Sequence, residues 1–220
     1  MNPSPLFTVC LYSDANFLAV NILENLLSKN CTVKVITKNV NDWRDNTFQL
    51  SSNKKFEIIE QKSEVGNVVY DYAIFCGGFI NKKRAYTDYE KFILYLNTKN
   101  TKTLVVFPFE VYSRNETDKI VVSENTAVLF VGDLLGPRIN FDSDLFLSRC
   151  LSEIIWKRKL TLPVGEVFYP IFVADGVKVL VKWLFSFGPY GKEILLLGNQ
   201  VSGDAFWNAN QKLVGELGVK

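Results

Sequence analysis

The chain has 220 residues, 48% hydrophobic and 22% charged, enough for one large domain with a sizeable core. Its net charge of +2 comes from scattered basic residues, which argues against a nucleic-acid partner, and no apolar run approaches the about 20 residues of a membrane span. It contains no histidine, so Ser-His-Asp and Cys-His nucleophile systems, an HExxH zinc site and an imidazole base are all excluded, and acid–base work falls to carboxylates, Lys, Tyr or Cys.

Short apolar runs alternate with helix-period segments along the chain. Residues 7–12 (FTVCLY) read as a buried strand, and 15–29 place Phe17, Leu18, Ile22, Leu23, Leu26 and Leu27 at helical spacing. Residues 32–37 (TVKVIT) alternate like a strand, whereas 39–55 are polar and read as a surface loop. Strands follow at 56–60 (FEIIE) and 72–76 (YAIFC), the second closed by Gly77 and Gly78. Residues 81–97 read as a helix with Phe92, Ile93, Tyr95 and Leu96 inward. A strand at 103–107 (TLVVF) is ended by Pro108, and 126–131 (TAVLFV) is the next. Helix patterns at 141–157 and 173–187, a late strand at 193–197 and a closing helix at 202–217 with Ser202 as N-cap complete the chain. Strands spaced by helices imply βαβ units and a parallel sheet with right-handed crossovers.

Cys10, Cys31, Cys76 and Cys150 form no CxxC pair. Cys10 and Cys76 lie in apolar strand runs, where a free Cys behaves as a small hydrophobe. The pattern suits a reducing cytoplasm, and MNPSPLF lacks a signal-peptide pattern, so a cytoplasmic protein without disulfides is expected.

The order of these segments resembles the extended short-chain dehydrogenase/reductase family, the NAD-dependent nucleotide-sugar epimerases and dehydratases. SDANFLAVNILENLL occupies the place of the family's TGxxGFxGxxLxxxLL, with Phe17 and Asn21 fitting it. YDYAIFCGG, LVVFPFEVY, AVLFVGDLLGPR and YPIFVADGVKVLVKWL sit, in order, where the family has its later strand ends and sugar-pocket segments. The resemblance implies an α/β fold, a Rossmann-type doubly wound parallel sheet with a reduced C-terminal substrate lobe. Residues 1–131 would form the core, and 132–220 the lobe segments with the closing strand and helix, packed on the same domain. It places Ser13, Asp14, Asn16, Phe17, Leu18, Cys76, Gly77 and Gly78 at the cofactor turn, and Arg138 where a nucleotide-sugar phosphate would be held.

The departures from the family are as informative as the matches. Its three glycines fall on Ser13, Asn16 and Ala19. In such a turn the glycines permit tight bending, close approach to pyrophosphate and helix–strand packing. Asp14 adds a negative charge there, and the acidic residue expected after the second strand is Thr37, followed by Lys38. The family's catalytic Ser/Thr falls in Phe107-Pro108-Phe109, and residues 113–125, where its Tyr-x-x-x-Lys helix belongs, contain no Tyr. Tyr95 and Lys99 have the spacing but precede the fifth strand, at the wrong sheet edge. Glu110 is the acid beside the expected active-site strand end. Among the tryptophans, Trp156, Trp183 and Trp207 read as core or interface residues on helix faces.

Three readings follow. The first is a degenerate epimerase/dehydratase-like protein with no catalytic residues, no cofactor and no metal, binding a nucleotide or nucleotide-sugar or serving as a partner subunit. The second is an active enzyme using NAD or NADP through atypical residues. The third is a structural interaction module. The helix at 81–97, rich in large apolar residues, is the expected surface for a homo- or hetero-oligomer unless the connector at 120–122 covers it.

Overall fold

The computed structural model describes residues 7–61, 69–96, 101–112, 120, 123–139, 143, 145–157, 165–186, 190–206 and 208–209, apart from the side chains of Lys82 and Ile154. The apolar runs become strands β1 (Thr8–Ser13), β2 (Thr32–Thr37), β3 (Phe56–Glu60), β4 (Tyr72–Cys76), β5 (Lys102–Pro108) and β6 (Thr126–Val131). Two-residue strands β7 (Leu134–Leu135), β8 (Val167–Phe168) and β9 (Ile171–Phe172) follow, then β10 (Lys192–Leu196) and β11 (Val201–Ser202). The helices are α1 (Phe17–Ser28), α2 (Val40–Asn46), α3 (Ala85–Leu96), α4 (Phe109–Tyr112), α5 (Phe146–Ser152) and α6 (Val173–Phe185).

Seven strands form one sheet in the order β10-β6-β5-β4-β1-β2-β3. Every adjacent pair is parallel. This is the Rossmann order, and the direction of winding reverses between β1 and β4. Strand periodicity divides the core into two layers, because alternate side chains point to opposite faces. Val9, Leu11, Ile74, Cys76, Leu104, Val106, Leu129 and Val131 face α1 and α6. Cys10, Tyr12, Phe75, Val105, Phe107, Val128 and Phe130 face α3 and its Tyr86, Tyr89 and Phe92. Both faces of the central strands are therefore buried, which is why they read as continuous apolar runs.

The C-terminal segments return to this frame. α6 packs against α1, and β10 extends the sheet beside β6. Between them, β7 pairs with β9 in parallel and β8 with β11 antiparallel. These short pieces gather past the end of β6 and wall the carboxyl edge of the sheet.

Four sequence expectations need correction. Residues 39–55 are not a loop: Asn39 caps α2 by accepting from the Asp42 N–H at 3.4 Å, and residues 48–50 form a 3₁₀ turn. In α3, Ile93 is 40% exposed rather than inward. The helix expected from 141 begins at Phe146 and ends in a π-type turn at Glu153–Lys157. Trp156, in that turn, is 74% exposed, which overturns the core half of its core-or-interface reading. The expectations for Lys99, for Trp207 and for most of 113–125 and 202–217 fall outside the described residues. Ser202 does cap a turn there, accepting from the Ala205 N–H at 3.2 Å. All four cysteines are free and buried. Among the described residues no helix is long and apolar enough to cross a membrane.

Candidate functional site

Ligands of this sheet order bind outside the carboxyl ends of the strands, at the point where the winding reverses. Here that point lies between Ser13 and Cys76, register partners at the ends of β1 and β4. The local sequence determines what fills it. Asn16 takes an extended backbone as N-cap of α1, and its side-chain oxygen accepts from the Ala19 N–H at 3.0 Å. The amide nitrogen of Asn16 donates to Ser13 Oγ at 2.9 Å and to the Asp14 carbonyl at 3.2 Å. Ser13 Oγ reaches the Cys76 carbonyl at 2.7 Å. From below, the fully buried Trp43 donates its indole N–H to the Ser13 carbonyl at 2.9 Å.

The turn therefore satisfies its own polar groups with side chains that glycines would lack. Ser13 and Asn16 are both buried. The cavity they border with Tyr12, Thr37, Cys76 and Asp88 measures about 20 Å³, room for about one water. Burial, foremost, and the neighbouring Asp88 hold the Asp14 carboxyl above its ordinary range. Burial pushes the Cys76 thiol up to about 12. Phe17 and Leu18 point into the core.

Gly77 and Gly78 serve packing. A Cβ on Gly77 would meet the Phe75 ring at 2.3 Å, and Gly78 has a left-handed φ of 82° while wedged against Ala85 and Pro108. Thr37 accepts from the Asn39 N–H at 3.2 Å, and Lys38 pairs with Asp88 on α3. A hollow bordered by Lys38, Asn41, Arg44 and Glu60 stays open beyond β2 and β3. Side chains of Ser13 and Asn16 thus fill the turn, with the Asp14 carboxyl beside them.

A second cavity, about 330 Å³, opens past the ends of β5 and β6. Phe79 lines both cavities and is buried, so its ring partitions them. Around the larger one stand Glu110, Asp133, Glu166, Arg149, Ser148 and Tyr169. Glu110 Oε1 accepts from the Phe146 N–H at 2.6 Å at the start of α5. Asp133 Oδ2 accepts from the Tyr169 N–H at 2.7 Å, and its backbone bonds Tyr169 and Ile171 in turn. Burial, first, and then Glu110 and Glu166 raise the Asp133 carboxyl above its ordinary range, against the pull of the Tyr169 N–H.

Of the residues singled out in the sequence, Ser13, Asp14, Asn16, Cys76, Gly77 and Gly78 converge on the turn. Arg138 does not join either cavity. It takes a left-handed φ of 68° and pairs with Glu24 of α1 at 2.8 Å. Glu110 does reach a cavity. Trp43, Phe79, Asp133, Glu166 and Arg149 were missed. Trp43 was hidden by the loop reading of its polar segment. The other four have no local motif and meet only through the chain's return from β6 to β10.

No protein-family profile and no curated protein sequence matches the chain. Solved structures do match its fold. A dTDP-glucose 4,6-dehydratase from Bacillus anthracis, in complex with NAD, is 12% identical with a TM-score of 0.71, over 94% of this chain and 81% of that one. A UDP-glucuronic acid 4-epimerase from Bacillus cereus, in complex with UDP-glucuronic acid and NAD, is 14% identical with a TM-score of 0.68, over 94% and 83%. An epimerase from Methanothermobacter thermautotrophicus is 12% identical with a TM-score of 0.72, over 96% and 78%. The chain has the fold of these three structures.

Proposed function

We propose that this protein is a dinucleotide-independent relative of the nucleotide-sugar epimerases and dehydratases, a small-molecule binder or partner subunit without hydride-transfer chemistry. The observation that carries the reading is the Ser13–Asn16–Cys76 network, which closes the pyrophosphate turn with the chain's own side chains. A nicotinamide left without its pyrophosphate anchor has no fixed position from which to exchange hydride. The end of β5 supports the same reading: Phe107, Pro108 and Phe109 offer no hydroxyl where the resemblance places one. The cleft between Glu110 and Tyr169 is then a candidate small-molecule site.

The test is mass spectrometry of the small molecules released on denaturing the purified protein, with a thermal-shift series in NAD and NADP. The expected result is no released dinucleotide and no shift. A ligand at 100 times its dissociation constant adds about 2.7 kcal/mol, so real binding would be visible. The second reading, an active enzyme with atypical residues, draws on the NAD held by the fold neighbours. Released NAD would favour it.

A further inference from the structure

This inference rests on the dinucleotide-independent reading and names the ligand class of the cleft past β5 and β6. Among the described residues its charged lining is Glu110, Asp133 and Glu166 against Arg149, a surplus of negative charge. A diphosphate is held by cations and by backbone N–H groups. In this cleft the chain's own oxygens already use those donors. The Phe146 N–H goes to Glu110, the Tyr169 N–H to Asp133, and the Asp133 N–H to the Tyr169 carbonyl at 3.0 Å. Two of those three acceptors are carboxylates, which repel a phosphate oxygen. The guanidinium of Arg149 lies over the Phe146 ring at 5.7 Å.

The size and walls of the cleft point the same way. At about 330 Å³ it lies at the small end of ligand pockets, suited to one ring rather than to a nucleotide and a sugar together. Its walls include Phe79, Phe109, Phe146 and Tyr169, with Phe109 and Tyr169 edge-to-face at 5.3 Å. Aromatic faces beside carboxylates attract organic cations. We propose that this cleft binds a sugar-sized organic ammonium, in the simplest case an amino sugar, and rejects nucleoside diphosphates.

The test is calorimetry on the full chain with glucosamine, glucose, UDP-glucose and NAD at neutral pH. Glucosamine is expected to bind, with glucose about tenfold weaker for want of a charge-assisted contact, and UDP-glucose not at all. Among the described residues the Glu166 carboxylate makes no hydrogen bond or ion pair, so Glu166→Gln removes charge without removing a contact of the fold. That variant is expected to bind glucosamine about tenfold more weakly. Arg149→Met, which removes the opposing cation, is expected to bind it more tightly. The proposal is overturned if glucosamine fails to bind, if UDP-glucose binds as well as glucosamine, or if Glu166→Gln leaves glucosamine binding unchanged. Binding of NAD in the same experiment would instead overturn the dinucleotide-independent reading, so the two failures are separable.

Discussion

Ser13 and Cys76 join β1 to β4 twice, once through the backbone ladder and once through the Ser13 hydroxyl, 2.7 Å from the Cys76 carbonyl. The second bond lies at the ends of these strands, where the winding of the sheet reverses. Asn16 locks it by donating to Ser13 while capping α1.

Replacing Asn16 separates these roles. Asn16→Ala loses the cap and leaves Ser13 without its donor, with an expected cost of about 1–3 kcal/mol. Asn16→Gly keeps most of the capping geometry and is expected to cost less, yet still not to bind NAD, because Ser13 and Asp14 remain. Denaturant unfolding of both variants, with NAD titrated into each, checks this. NAD binding by Asn16→Gly alone would mean that Asn16 is the whole obstruction.

Trp43 holds the same turn from the other side. Trp43→Phe keeps an aromatic ring but leaves the buried Ser13 carbonyl without its 2.9 Å donor. The expected cost is about 1–3 kcal/mol. A change within about 0.5 kcal/mol, the usual range for a surface position, would show that this bond does not support the turn.

Asp14 gives the turn a pH dependence. Its folded-state carboxyl is raised, by burial first and then by Asp88. The folded protein therefore holds this proton more strongly than the unfolded chain. The contribution is favourable below the ordinary Asp range and is lost as pH rises through the folded value. Asp14→Asn is expected to be more stable than the wild type at neutral pH, with the advantage shrinking under acid conditions. Equal unfolding midpoints at neutral and acid pH for the pair would contradict this.

The two faces of α3 are expected to respond oppositely to a charge. Phe92 is fully buried against β1 and β4, whereas Leu94 is 72% exposed. Ile120 is buried in the same apolar cluster as Phe92, so part of the connector covers that face. Phe92→Glu is expected to cost at least about 3 kcal/mol, while Leu94→Glu stays within about 0.5 kcal/mol. Circular dichroism during thermal unfolding distinguishes them. Light scattering on Leu94→Glu then reports whether the exposed Ile93–Leu94 face pairs with another copy.

The sheet was legible because each central strand is buried on both faces and so appears as an unbroken apolar run, as in TLVVF and TAVLFV. The cofactor turn was legible as a departure: Ser13, Asn16 and Ala19 stood where glycine was expected, with Asp14 among them. That their side chains would bond one another was not legible, since Cys76 comes into reach only when β4 pairs with β1. α2 was hidden because seven mostly polar residues with one Trp carry no helical apolar stripe. Arg138 looked like a phosphate ligand in Gly-Pro-Arg, yet its left-handed backbone accompanies a bond to Glu24. The acidic cleft drew its lining from β4 to β9, and no local pattern announces such a site.

The most direct test of the account is isothermal calorimetry of NAD against the wild-type chain at neutral pH and moderate salt. The closed Ser13–Asn16–Cys76 turn predicts no binding with a dissociation constant below about 100 μM, equivalent to about −5.5 kcal/mol. Saturable binding tighter than that would contradict it.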